Sequence, residues 1–247
     1  MKYIFARIVG PLAAVLTLSA GLTAGFAQRA TAQTIFEDQG TLEPAQQEYS
    51  IDVEAGDVVA IILNSEDFDT VLTLLGPSGE EVAFNDDFGG TLNSLIVYDV
   101  PTSGSYTIVT KSFDGQGGSY NLEVRPATDY EVSYNEAQIS LQEGDYENAI
   151  AAYSDAIDLD PENPEAYLGR ADAYFGTAQA ELEAEGQFLS GPDDLPEDIR
   201  DAIVADFQAA ADLYDASGDP FTAQSLREQV EYIETGEFPE PTEGGEF

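Results

Sequence analysis

The sequence predicts two folds in series, an all-β antiparallel sandwich over residues 33–126 and an all-α helical-repeat domain over residues 127–235. Three observations carry this. Apolar residues alternate with polar ones at every second position as far as about residue 125, they recur every three to four positions beyond it, and the change falls at Arg125-Pro126-Ala127-Thr128. At 247 residues the chain is long enough for two domains, each able to bury a core.

Residues 1–32 read as a signal peptide. Lys2 and Arg7 supply a basic start, Ile8 to Phe26 is apolar, and small residues offer cleavage after Ala27 or after Ala32. The apolar stretch approaches membrane-spanning length, but Gly10, Pro11, Ser19 and Gly21 weaken an anchor. In EYSIDVE, SYTIVT and SYNLEV the alternation is strict, and VVAIIL (58–63), VLTLL (71–75), EVAF (81–84) and SLIVYDV (94–100) lie among them. Turn chemistry separates these runs: Glu54-Ala55-Gly56-Asp57, Pro77-Ser78-Gly79 and Ser103-Gly104. Such spacing implies about eight short strands in a sandwich. The segment FDGQGGSYN is expected to turn a hairpin.

Helical capping marks the second half. Asp145 precedes a face of Ala149, Ile150, Tyr153, Ala156 and Ile157; Asn163-Pro164 opens another helix; further ones follow Leu195-Pro196 and Asp219-Pro220. Residues 236–247 lack periodicity and read as a disordered acidic tail.

Composition excludes much chemistry. With neither Cys nor His, disulfides, thiol redox, Ser-His-Asp triads and His- or Cys-based zinc sites are absent. The formal charge of -40, from 48 acidic and 8 basic residues, disfavours nucleic acid and anionic lipid and points to cationic or metal-bridged partners. The helical half is the more extreme, with 31 acidic and 3 basic residues over 127–247 against 17 and 2 over 33–126.

The helical half resembles the tetratricopeptide repeat (TPR), a helix pair with small residues at the helix contact and aromatics filling the gaps. Gly144-Asp145-Tyr146, Ala149, Tyr153, Ala156 and Pro161 carry the likeness in the first unit, whereas Ser133, Glu136, Ala137 and Ser140 depart from it. Tyr134 and Ala137 recur 34 residues on as Leu168 and Ala171. Ala149, Tyr153 and Ala156 recur only 54 residues on, as Ile203, Phe207 and Ala210, which places a 20-residue insertion near 177–196. Residues 34–125 resemble the bacterial pre-peptidase C-terminal (PPC) domain through DFDTVLTLLGPSGEEVAFNDD, LNSLIVYDVPTSGSYTIVT and GSYNLEV. That resemblance implies a jelly-roll-like accessory sandwich rather than a catalytic domain.

Two acidic clusters, Asp67/Asp69 and Asn85/Asp86/Asp87, admit three readings. Catalysis would need two carboxylates about 5–10 Å apart flanking a cleft. Calcium would need about six to eight oxygens on converging loops, which these five residues could offer if their strands neighbour each other antiparallel; some PPC relatives bind calcium. Alternatively the residues simply make turns by bonding their own backbone. In the repeats the concave face built by first helices nominates Asn135, Gln138, Gln142, Arg170 and Asp172 for partner binding, while Tyr153, Tyr167 and Tyr174 read mainly as packing. The expectation is an exported, non-enzymatic interaction protein, periplasmic or extracellular. It would have a protein or peptide partner on the repeats, a matrix or cell-surface ligand on the sandwich, and no membrane contact after cleavage. The alternative is an accessory or inhibitory subunit of a secreted peptidase or other hydrolase.

Overall fold

The computed structural model describes residues 35–42, 46–88 and 91–237; the expected signal peptide and the acidic tail beyond Glu237 lie outside them. The chain divides after Thr128 into two units, each with its own core.

The first unit holds eight strands: β1 (Phe36–Leu42), β2 (Gln47–Val53), β3 (Val58–Asn64), β4 (Thr70–Leu75), β5 (Glu81–Asn85), β6 (Ser94–Asp99), β7 (Gly104–Ser112) and β8 (Gly118–Pro126). Seven coincide with the period-two runs. β1 lacks that signal because, opposite the buried Val124, Leu122 and Tyr120, it places Phe36, Asp38 and Gly40. Gly40 is required there: a Cβ would stand 2.7 Å from the Tyr120 hydroxyl.

The strands form two four-stranded antiparallel sheets, β1-β8-β3-β6 and β2-β7-β4-β5, the order of a jelly roll. Alternation puts Ile51, Ile61, Leu63, Leu72, Leu74, Ile108, Leu122 and Val124 between the sheets, all nearly or wholly buried. Among the described residues only β4 and β5 join as a hairpin, through Gly76-Pro77-Ser78-Gly79, where Gly79 takes φ +87 and donates to the Gly76 carbonyl at 2.9 Å. FDGQGGSYN is therefore not a hairpin turn. β7 pairs with β2 and β4 whereas β8 pairs with β1 and β3, so this segment crosses from one sheet to the other. Sheets lie ~10 Å apart and an extended residue spans ~3.3 Å, so residues 113–117 suffice for the crossing. β7 and β8 thereby both sit inside a sheet, each with two ladder partners.

At one end of the sandwich the buried Thr70 hydroxyl meets Ser94 Oγ at 2.7 Å, and both oxygens also reach backbone carbonyls. This polar contact joins β4 of one sheet to β6 of the other, beside the acidic loops.

The second unit contains α1 (Asp129–Glu143), α2 (Tyr146–Leu159), α3 (Pro164–Ala184), α4 (Glu197–Ser217) and α5 (Pro220–Thr235). Side-chain oxygens of Asp145, Asn163 and Asp219 accept from the first-turn amides of α2, α3 and α5. Small residues let the helices approach: Ala137, Ala149, Ala156, Ala166 and Ala171 are wholly buried. Gly169 of α3 lies so near α2 that a Cβ would fall 2.3 Å from the Tyr153 ring. The triad Ala149, Tyr153, Ala156 of α2 and its counterpart Ile203, Phe207, Ala210 of α4 are all buried, so the 54-residue offset joins equivalent core positions. Between them α3 runs on to Ala184 and a loop with a 3-10 turn at Pro192–Asp194 leads into α4. Among the described residues no helix is long and apolar enough to cross a membrane.

Candidate functional site

Two surfaces hold the residues nominated from the sequence. The first is the acidic end of the sandwich. β4 and β5 are antiparallel neighbours, with Leu72 opposite Asn85, so the loops before β4 and after β5 share one end. The five residues there nevertheless do different work. Asp67 faces β8 and accepts from the Ser119 amide at 2.7 Å. Asn85 accepts from the Leu95 amide at 3.0 Å and donates to the Asp87 carbonyl at 2.9 Å, fixing its own loop. Asp69 differs: its Oδ1 is buried without a hydrogen-bond partner. Burial raises its pKa, and the charges of Asp87, Asp86 and Asp114 raise it further.

Asp114 escaped the sequence reading because it belongs to the supposed hairpin segment. It binds the Ser112 hydroxyl at 2.7 Å and the Gln116 amide at 3.0 Å, and these bonds lower its own pKa. The glycine-rich run around it was the only signal. Among the described residues no group of three carboxylates stands close enough to hold a metal ion. Asp67 and Asn85 are each engaged by a backbone amide, which leaves Asp69, Asp86 and Asp87 as the carboxylates of these loops not held in that way.

The second surface is formed by α1 and α3. Tyr134 is buried and stacks on Tyr130 while meeting Tyr153 edge-on at 5.7 Å. Gln138 donates to the Tyr134 hydroxyl at 3.2 Å. Burial pushes the Tyr134 pKa up to about 12, with the Glu165 and Asp172 charges adding to the rise and the Gln138 bond opposing it. Asp172 is exposed on one side and crowded by protein on the other, and the lost hydration raises its carboxyl. Tyr134, Gln138, Glu165 and Asp172 thus form one polar, acidic patch, with Tyr214 donating to Glu165 from α4. Asn135 is half-buried and Gln142 exposed on α1.

Arg170 does not belong to that patch. Its guanidinium makes a bidentate pair with Asp206, at 3.0 and 2.6 Å, and donates to Ser154 at 2.9 Å. It ties α3 to α4 and α2, because the buried Asp206 requires a cation. Tyr153, Tyr167 and Tyr174 pack among the helices.

A family model for the TPR repeat matches residues 137–177, which run from the end of α1 into α3. The pre-peptidase C-terminal domain of a collagenase from Bacillus anthracis matches in structure at 17% identity, covering 36% of this chain and 87% of that one with a TM-score of 0.32. A structure of CBM51-2 in complex with GlcNAc and INT domains from Clostridium perfringens ZmpB matches at 14% identity, covering 68% of this chain and 34% of that one with a TM-score of 0.25. No curated protein sequence matches the chain. The molecule is an antiparallel two-sheet domain followed by a five-helix region that contains a TPR repeat.

Proposed function

We propose that this is an exported, non-enzymatic interaction protein whose repeat region docks a basic polypeptide segment on the face of α1 and α3, while the sandwich holds a second ligand. The observation that carries the reading is the polar patch of Gln138 and Asp172, both within the matched TPR repeat and both acting on the buried Tyr134 hydroxyl. A carboxamide both donates and accepts, and a carboxylate accepts from cations and backbone amides, so the pair suits a polypeptide segment. The surrounding half-chain, with 31 acidic and 3 basic residues, favours a cationic partner and fast association at low salt. Periplasmic or extracellular placement rests on the signal-like first 32 residues. The function invokes no cofactor.

The test is capture of partners from the exported fraction by the mature chain and by a Gln138→Ala/Gln142→Ala/Asp172→Ala variant. The expected result is a protein retained by the natural chain, released by moderate salt, and at least tenfold depleted on the variant. Equal recovery on both would sink the assignment to this face.

A further inference from the structure

The outer face of the sheet β1-β8-β3-β6 carries a row of side-chain amides that no part of the proposed docking role uses. Gln39 of β1 is paired with Asn121 of β8, and Asn121 with Asn64 of β3. Directly opposed residues point to the same side of a sheet. Leu63 and Leu122, their neighbours in sequence, face the core, so all three amides face outward. Asn93 precedes Ser94, the partner of Leu63, and continues the row onto the fourth strand. Adjacent strands lie ~4.8 Å apart, so four amides span roughly 14 Å. The row lines a cleft of about 960 Å³, which Glu66 and Asp67 also border.

These amides are not spent on the fold. Among the described residues, the side chains of Gln39, Asn64 and Asn121 make no hydrogen bond, whereas Asn93 accepts from the Ser65 amide at 3.0 Å. The Asn121 Oδ1 is buried and has no partner, a condition that costs stability unless something donates to it. The terminal torsion of Asn is soft and roughly two-fold, so a turn of the carboxamide brings that oxygen to an entering hydroxyl.

Chemistry narrows the occupant. No lining residue of the cleft is basic, and Glu66 and Asp67 are among the lining, so an anionic ligand is repelled. An extended peptide needs pockets for alternate side chains, and none of the lining residues is aliphatic. Tyr120 is turned inward onto Tyr49. What remains complementary is a molecule that donates and accepts along its length without charge. We infer that this cleft binds a neutral oligosaccharide, whose hydroxyls pair with the amides of Gln39, Asn64, Asn93 and Asn121. The site lies wholly within the first unit and stands or falls separately from the helical docking face.

The experiment titrates the full mature chain, labelled with nitrogen-15, with neutral hexasaccharides of the β-1,4-glucan, β-1,3-glucan, α-1,4-glucan, mannan and N-acetylated chitin types. Oligogalacturonate and a lysine-rich peptide serve as counter-probes. At millimolar concentration at least one neutral hexasaccharide is expected to shift the side-chain amide signals of the four residues, and raised salt to leave the affinity unchanged. Gln39→Ala and Asn64→Ala sit at exposed positions and should keep the melting temperature while weakening binding about tenfold each. The inference is overturned if no neutral sugar moves these signals, if only oligogalacturonate or the peptide does, or if both variants bind as the natural chain does.

Discussion

Asp69 is the residue at which the acidic end of the sandwich can be interrogated. Its raised pKa means that the folded chain holds the proton more tightly than the unfolded chain does. The contribution of Asp69 to stability is therefore fully present below the ordinary aspartate value of 3.8 and is lost as pH rises through the raised native value, leaving a deficit at neutral pH. Asp69→Asn removes that charge and should raise the melting temperature at pH 7.5 by a few degrees, with the gain vanishing below about pH 4. Thermal scans across pH check this. Calcium and magnesium at equal ionic strength should stabilise both proteins alike, through screening of the acidic surface. Stabilisation by calcium alone, lost in the variant, would mean that these loops close on a cation after all.

At the scale of elements, the helices are held by two devices whose removal should be felt differently. The Tyr153 ring fills the place of a Gly169 side chain and is itself buried, so Gly169→Ala should cost about 1–3 kcal/mol despite the better helix propensity of alanine. Gly176 faces the Tyr146 ring just as closely, but Tyr146 is only half-buried and can swing aside, so Gly176→Ala should be nearly neutral. Urea unfolding of the two variants supplies the comparison. Arg170→Met leaves Asp206 buried and unpaired, with an expected loss of about 3 kcal/mol, and adding Asp206→Leu should restore most of it. A double-mutant cycle by the same method tests this pair.

The legibility of the fold follows these elements. Seven strands and the starts of α2 to α5 were readable because periodicity and the Asp, Asn and Pro residues at helix starts are local signals. β1 was not, since Asp38 and Gly40 stand at its inward positions and Gly40 is there for the Tyr120 ring of a distant strand. Nor was the crossing after β7 readable, because a glycine-rich connection looks the same whether or not its flanking strands pair. Arg170 was taken for a surface contact because its partner, Asp206, lies 36 residues away across the insertion. The amide row escaped for a similar reason: Gln39, Asn64, Asn93 and Asn121 are scattered along the chain, Asn64 and Asn93 at strand ends where turn residues are ordinary, and only the sheet order assembles them.

For the molecule as a whole, the path of the chain through the sandwich has a kinetic consequence. Phe36 pairs with Val124 and Gln47 with Thr110, so nearly every ladder in the first unit must close a loop of tens of residues before any pairing rewards it. The helices of the second unit pack chiefly on their sequence neighbours. Chains rich in local contacts fold in microseconds to milliseconds, and those dominated by distant pairings take milliseconds to seconds. Refolding from urea should therefore show two phases, a fast one in helical ellipticity and a slower one in the tyrosine signals of Tyr106 and Tyr120, at least tenfold apart in stopped-flow records. The strands are made first on the ribosome yet would reach their native pairing last, so a newly made chain would carry finished helices while its strand edges still stand open.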